Sequence, residues 1–190
     1  MNRSIAIALL VTLALPLGAC GNSTESADKP AASATAGSFN DADVTFAQGM
    51  IPHHEQAVEM ADMALDPTTS AGPKIVDLAK RIKGAQDPEI RLMKGWLTTW
   101  GKDLMGSDHS GHSMSGMMTV DDLAKLGAFK GATFDKRWAE LMVEHHKGAL
   151  EQANAVIRDG KAAAVKTLAA DILKGQKAEI DEMLGIIKTY

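Results

Sequence analysis

The sequence predicts an all-α protein, a four-helix bundle built from two similar helical hairpins. Aromatic residues make up only 4% of the 190 residues, and helix-forming residues such as Ala, Leu, Met, Lys and Glu dominate the chain after residue 40. The dipeptide His-His occurs twice, at His53-His54 and at His145-His146, within similar surroundings. Such self-similarity indicates an internal duplication, and two hairpins joined by a longer connection form a bundle.

The four helices follow from segments that carry the apolar periodicity of amphipathic helices. Asp41 or Asp43 is expected to cap the first helix, and the Asp-Pro and Gly-Pro pairs after residue 65 separate it from the second. The third segment is expected to divide near Gly127–Gly131, after a short helix at 120–127. The predicted helical segments are 41–65, 74–100, 120–158 and 162–188.

The duplication pairs the helices of one hairpin with those of the other. The window Phe46–Ala61 matches Trp138–Ala153, and the window Leu78–Met93 matches Leu168–Met183. The repeating unit is therefore a hairpin, and the duplication suggests one two-fold site to which both His-His pairs contribute.

Polar side chains share the apolar faces of these helices. At about 100° per residue, both histidines of each pair flank the core stripe, and Glu89 and Gln86 lie among apolar residues of the second helix. Imidazole is a common metal ligand, and a carboxylate is rarely buried without a partner. An interior metal site is predicted, with these candidate ligands: Met50, His53, His54, Glu89, Met93, Met142, His145, His146, Glu179 and Met183. A buried hydrogen-bond network that includes Gln86 and Gln176 is the alternative interpretation.

A connection between the hairpins, residues 106–119, is rich in methionine and histidine. Thioether sulfur is a poor ligand for Zn²⁺ but a good one for Cu(I), and imidazole also suits Cu(II). The only cysteine of the chain, Cys20, precedes the predicted domain. The sequence therefore predicts copper, with this connection as an accessible acquisition site whose candidate ligands are His109, His112, Met114, Met117 and Met118.

The first 20 residues have the pattern of an export signal. A basic Arg3 precedes a short apolar run that ends in Leu17-Gly18-Ala19-Cys20, which resembles a bacterial lipobox. We expect export, lipidation of Cys20 and a membrane anchor facing outside the cytoplasm; an ordinary signal cut near Ala19 is the alternative. Residues 21–40 are predicted to be a flexible tether, and residues 41–190 the folded domain. The net charge of −4 argues against nucleic-acid binding.

The motif M-I-P-H-H-x-x-A-V-x-M-A at Met50–Ala61 resembles the bacterial family called domain of unknown function 305. The further matches are His145–Ala149, Gln86–Met93 and Gln176–Met183, and the resemblance covers residues 40–190. It implies a ferritin-like four-helix domain that is commonly exported. One member is known as an extracytoplasmic copper-binding protein, so the resemblance implies a protein that buffers, sequesters or hands on copper.

Two other functional classes remain open. A ferritin-like fold can carry a di-iron redox site, in which Glu89 and Glu179 would act with His53 and His145; the usual Glu-x-x-His spacing is absent. The second class is a non-metal interaction module at the membrane surface. The sequence favours a binding protein over an enzyme, and leaves open a homodimer or a copper-transport partner.

Overall fold

The computed structural model describes residues 38–105 and 115–190, and these ranges contain five α-helices, one 3-10 turn and no strand. The helices are α1 (Asp41–Leu65), α2 (Pro73–Thr99), α3 (Val120–Ala128), α4 (Gly131–Asp159) and α5 (Ala163–Ile187), and the 3-10 turn is Pro67–Thr69. The predicted all-α bundle is confirmed. The predicted signal sequence, most of the predicted tether and connection residues 106–114 lie outside the described residues.

Two antiparallel hairpins make the bundle. Helix α1 packs along α2 and α4 packs along α5, while the hairpins meet mainly through α1 and α4. The predicted third segment is indeed divided, because the chain is extended at Phe129 before Gly131 adopts a φ of +53° and α4 begins. Among the described helices, none combines the length and apolarity needed to cross a membrane.

The first helix begins with a capping box. Asn40 is the N-cap residue, and its side-chain oxygen accepts a hydrogen bond from the Asp43 backbone N–H at 3.2 Å. The Asp43 carboxylate in turn accepts from the Asn40 backbone N–H at 2.8 Å. The prediction that Asp41 or Asp43 is the cap is therefore wrong by one to three positions.

Asp43 also ties the two hairpins together at one end of the bundle. Its fully buried carboxylate accepts hydrogen bonds from the backbone N–H groups of Lys161, at 3.0 Å, and Ala162, at 3.1 Å, where α5 begins. The equivalent residue of the second repeat, Asp135, accepts from the Gly72 N–H at 2.9 Å, where α2 begins. Each carboxylate therefore accepts from the N–H of the N-cap residue, and faces the positive end, of a helix in the other hairpin.

The apolar interior consists of two clusters. Along both α1 and α4, the histidines lie between the residues of one cluster and those of the other. One cluster contains Met60, Trp138, Met142 and Met183, and the other contains Met50 and Met93. The indole N–H of fully buried Trp138 donates to the Met60 carbonyl oxygen at 2.8 Å and so joins α4 to α1. Burial of such large side chains from both hairpins stabilises the interface between α1 and α4.

Candidate metal centre

Four histidines form one buried layer where α1 crosses α4. His53, His54, His145 and His146 are all 0% exposed, as the helical periodicity predicted for residues that flank the core stripe. The imidazole centroids of His53 and His145 are only 3.8 Å apart. Their planes are inclined at 38°, so equivalent residues of the two repeats lie in direct contact at the centre of the layer.

The outer histidine of each pair is held by a glutamate. The Nε2 atom of His54 lies 2.7 Å from the Glu89 carboxylate, and the Nε2 atom of His146 lies 2.7 Å from that of Glu179. An ionised carboxylate accepts, so Nε2 carries the proton and the lone pair resides on Nδ1. Neither Nδ1 atom has a hydrogen-bond partner. Burial lowers the pKa of His146, and the hydrogen bond to Glu179 opposes that shift.

The inner histidines have no hydrogen-bond partner on either ring nitrogen. Both nitrogens of His53 and both nitrogens of His145 are buried and unpaired. Burial, reinforced by the charges of His54 and His146, lowers the pKa of His53 to about 3, although the nearby backbone of Ser115 opposes the shift. Burial also holds the pKa of His145 well below its usual value. Both rings are neutral at physiological pH, which is the form that binds a metal.

Two glutamines extend the set of unpaired polar atoms. Gln86 and Gln176 are 2% and 4% exposed, and neither their amide oxygen nor their amide nitrogen has a partner. Each lies one helical turn before the glutamate that holds an outer histidine. The sequence showed both glutamines on the apolar stripe but did not place them among the ligands. The repeated spacing Gln-x-x-Glu was the available signal.

The predicted methionine ligands lie on both sides of the histidine layer. Met50 and Met142 each precede an inner histidine by three residues, which places them one turn away on the same face. Met50 and Met93 belong to one core cluster, whereas Met142 and Met183 belong to the other, and all four are 0% exposed. The structure therefore separates the sulfur atoms into two pairs, with the imidazoles as the central donors.

Imidazoles, thiolates and carboxylates do not by themselves form a metal site in the described part of the chain. Within residues 38–105 and 115–190, no group of three or more His, Cys, Asp or Glu residues is arranged to hold a metal ion. The donors that the layer does offer are unpaired imidazole nitrogens with thioethers nearby. Such a set suits an ion that accepts few, soft ligands, and Cu(I) is the usual example.

The predicted connection ligands are only partly described. His109, His112 and Met114 lie outside the described residues, whereas Met117 and Met118 are partly buried. The side chain of Met118 packs against the core cluster that contains Met142. Its backbone N–H donates to the Gln56 side-chain oxygen at 2.7 Å, so the end of the connection is attached to α1 beside the histidine layer.

The two halves of the site differ in their backbone. Pro52 lies inside α1 directly before His53, and Pro88 lies inside α2 directly before Glu89. The second repeat has Glu144 and Ala178 at these places. Because each proline lacks a backbone N–H, the helices of the first hairpin make fewer backbone hydrogen bonds beside the site than those of the second.

Solved structures with this fold include proteins with bound copper. A Streptomyces coelicolor DUF305 protein, presumed to be secreted, is 31% identical with a TM-score of 0.73, and the match covers 78% of this chain and 93% of that one. A DUF305 fragment from Deinococcus radiodurans is 26% identical with a TM-score of 0.71, covering 80% and 98%. CopM in its Cu(II)-bound form is 32% identical with a TM-score of 0.65, covering 77% and 96%.

Structures of CopM have also been solved in a Cu(I)-bound form and in an Ag-bound form. No curated protein matches the chain significantly. The family described as domain of unknown function (DUF305) matches residues 43–187, which include all four histidines of the layer and both glutamates that pair with them. The chain therefore belongs to the DUF305 family.

Proposed function

We propose that this protein binds copper outside the cytoplasm and buffers it, sequesters it or hands it on. The observation that carries the proposal is the His53–His145 pair. Its four ring nitrogens are buried without a hydrogen-bond partner, which is costly in a structural core and useful in a ligand set. A purely structural histidine of this kind would normally find a partner.

The choice of copper is supported by the donor chemistry and by related proteins. Neutral imidazoles lie at the centre, and buried thioethers lie one helical turn away at Met50 and Met142. CopM, which shares the fold, exists in Cu(II)-bound and Cu(I)-bound forms. Glu89 and Glu179 would orient the outer imidazoles and leave each Nδ1 lone pair directed away from the carboxylate.

The proposed location follows from the N-terminal sequence. The lipobox-like Leu17–Cys20 supports export and lipidation of Cys20, and a related Streptomyces coelicolor protein is presumed to be secreted. Residues 21–40 would then connect the membrane anchor to the bundle. Binding and release of copper at the membrane surface would serve copper homeostasis or resistance.

X-ray absorption spectroscopy of the copper-loaded protein tests the proposed ligand set. We expect nitrogen and sulfur scatterers around Cu(I), with a coordination number of about two to four. Binding of Zn²⁺ under the same conditions should be weaker, because thioethers contribute little to it. A copper shell made only of oxygen atoms, or equal affinity for both metals, would contradict the proposal.

A structural interaction module remains the competing function. It would use the His54–Glu89 and His146–Glu179 pairs to fix the packing of the hairpins, with no metal. It does not explain the unpaired nitrogens of His53 and His145. A protein that binds no copper yet keeps its stability without metal would favour this second function.

A further inference from the structure

The end of the connection crosses the bundle beside the histidine layer. We call residues Ser115–Met118 the strap. The carbonyl of Ser115 lies so close to Gly148 in α4 that a Cβ atom there would overlap it. Likewise, a Cβ atom on Gly116 would lie 2.8 Å from the carbonyl oxygens of Glu144 and His145. The strap backbone therefore lies directly on α4, over the turn that carries His145.

The strap is attached to α1 at its other end. Gln56 donates a hydrogen bond from Nε2 to the Met118 carbonyl oxygen at 2.9 Å and accepts one from the Met118 N–H at 2.7 Å. The strap thus reaches from α4 to α1, the two helices that supply His145 and His53.

The residues that hold the strap occupy equivalent positions of the two repeats. Gln56 follows His53 by three residues, and Gly148 follows His145 by three. In the first repeat, the Gln56 side chain binds the strap backbone. In the second repeat, Gly148 has no side chain and so leaves room for the strap. The repeats therefore differ in sequence where the strap touches each of them, one turn from an inner histidine.

We propose that the strap covers the His53–His145 pair and limits the rate at which solutes and copper reach it, with Gln56 and Gly148 as its positioning residues. The copper part of this inference rests on the proposed function. Two hydrogen bonds and a close backbone contact hold the strap, whereas long helical interfaces hold the hairpins. Local opening of the strap therefore costs less than separation of the hairpins.

Chemical modification of the metal-free protein tests the cover without copper. Diethyl pyrocarbonate acylates accessible imidazole nitrogens, and mass spectrometry gives the rate for each histidine. Gly148→Ala should displace the strap and raise the modification rates of His53 and His145 about tenfold or more. The matched control is Gly84→Ala, because a Cβ atom at Gly84 meets nothing within 4 Å; its rates should equal those of the wild type.

A second variant provides the test if Gly148→Ala does not fold. Gln56→Ala removes both hydrogen bonds to Met118 without adding any atom. Its modification rates should rise about tenfold, the factor that corresponds to about 1.4 kcal/mol of lost hydrogen bonding. Helical circular dichroism should stay unchanged. Unchanged rates in both folded variants would overturn the proposal.

Copper exchange tests the same inference in the loaded protein. Release of Cu(I) to a competing chelator should accelerate about tenfold in Gln56→Ala, with an equilibrium affinity within about threefold of the wild type, because a cover slows binding and release alike. Faster imidazole modification without faster copper release would overturn the proposed control of copper. Absence of copper binding by the wild type would refute the proposed function instead, and the metal-free measurement would still decide whether the strap covers the pair.

Discussion

Replacement of an inner histidine by leucine should stabilise the metal-free protein. His53 is fully buried and neither of its ring nitrogens has a partner. An unsatisfied buried polar group costs about 1–3 kcal/mol. Leucine has a similar volume, needs no partner and is a better helix former. We expect His53→Leu to raise the free energy of unfolding by about 1–3 kcal/mol.

The matched variant at the neighbouring residue should have the opposite effect. His54 is equally buried, but its Nε2 is bonded to Glu89 at 2.7 Å. His54→Leu gains the same helix propensity and leaves the Glu89 carboxylate, whose side chain is 21% exposed, without its partner. We expect a loss of about 1–2 kcal/mol. Opposite signs of the change in the free energy of unfolding would distinguish a histidine kept for metal binding from one kept for stability.

Urea unfolding followed by circular dichroism, in metal-free buffer with a chelator, measures both variants. For a domain of this size, 1 kcal/mol corresponds to about 2–4 °C in Tm, so thermal unfolding gives a second readout. Copper should no longer stabilise His53→Leu as it stabilises the wild type. If His53→Leu is destabilised as much as His54→Leu, the unpaired nitrogens of His53 do not destabilise the metal-free protein, and the reasoning fails.

Three further outcomes are expected. First, the metal-free protein should lose stability as pH falls, because the pKa of His53 is about 3 when folded against 6.5 when unfolded and the unfolded state therefore binds protons first. Urea unfolding at pH 5 should give a free energy of unfolding about 2 kcal/mol lower from this residue alone. Second, Asp135→Asn should lower the free energy of unfolding in urea by about 1–2 kcal/mol, because its carboxylate accepts from Gly72 N–H at 2.9 Å and from Tyr190 O–H at 2.8 Å; Asp121→Asn, at an exposed position, is the control. Third, Cys20→Ser should abolish labelling of the exported protein by a fatty-acid analogue, and persistent labelling would exclude lipidation at that residue.

Helix positions followed from local periodicity. The first helix was predicted at 41–65 and is Asp41–Leu65. Burial of all four histidines was also predictable, because the angle of a side chain around a helix depends only on its sequence spacing. The duplication then indicated that the two halves would be alike, and the two His–Glu distances are equal at 2.7 Å.

Contacts between distant segments were not predictable in the same way. Periodicity placed His54 and Glu89 on interior faces, but the partner of a side chain depends on how the helices pack. The bond of Asp43 to Lys161 spans 118 residues, and local capping signals gave no indication that this carboxylate would also link the hairpins. The contact of the strap with Gly148 was equally unpredictable, because a glycine inside a helix normally indicates only lower helix propensity.

Copper titration of two double variants tests the central claim most directly. The account predicts that the wild type binds copper more tightly than about micromolar, about −8 kcal/mol. His53→Ala combined with His145→Ala should lose at least tenfold in affinity, while His109→Ala combined with His112→Ala should lose less. Equal affinity in the wild type and in the His53/His145 variant would contradict the claim that copper binds in the histidine layer.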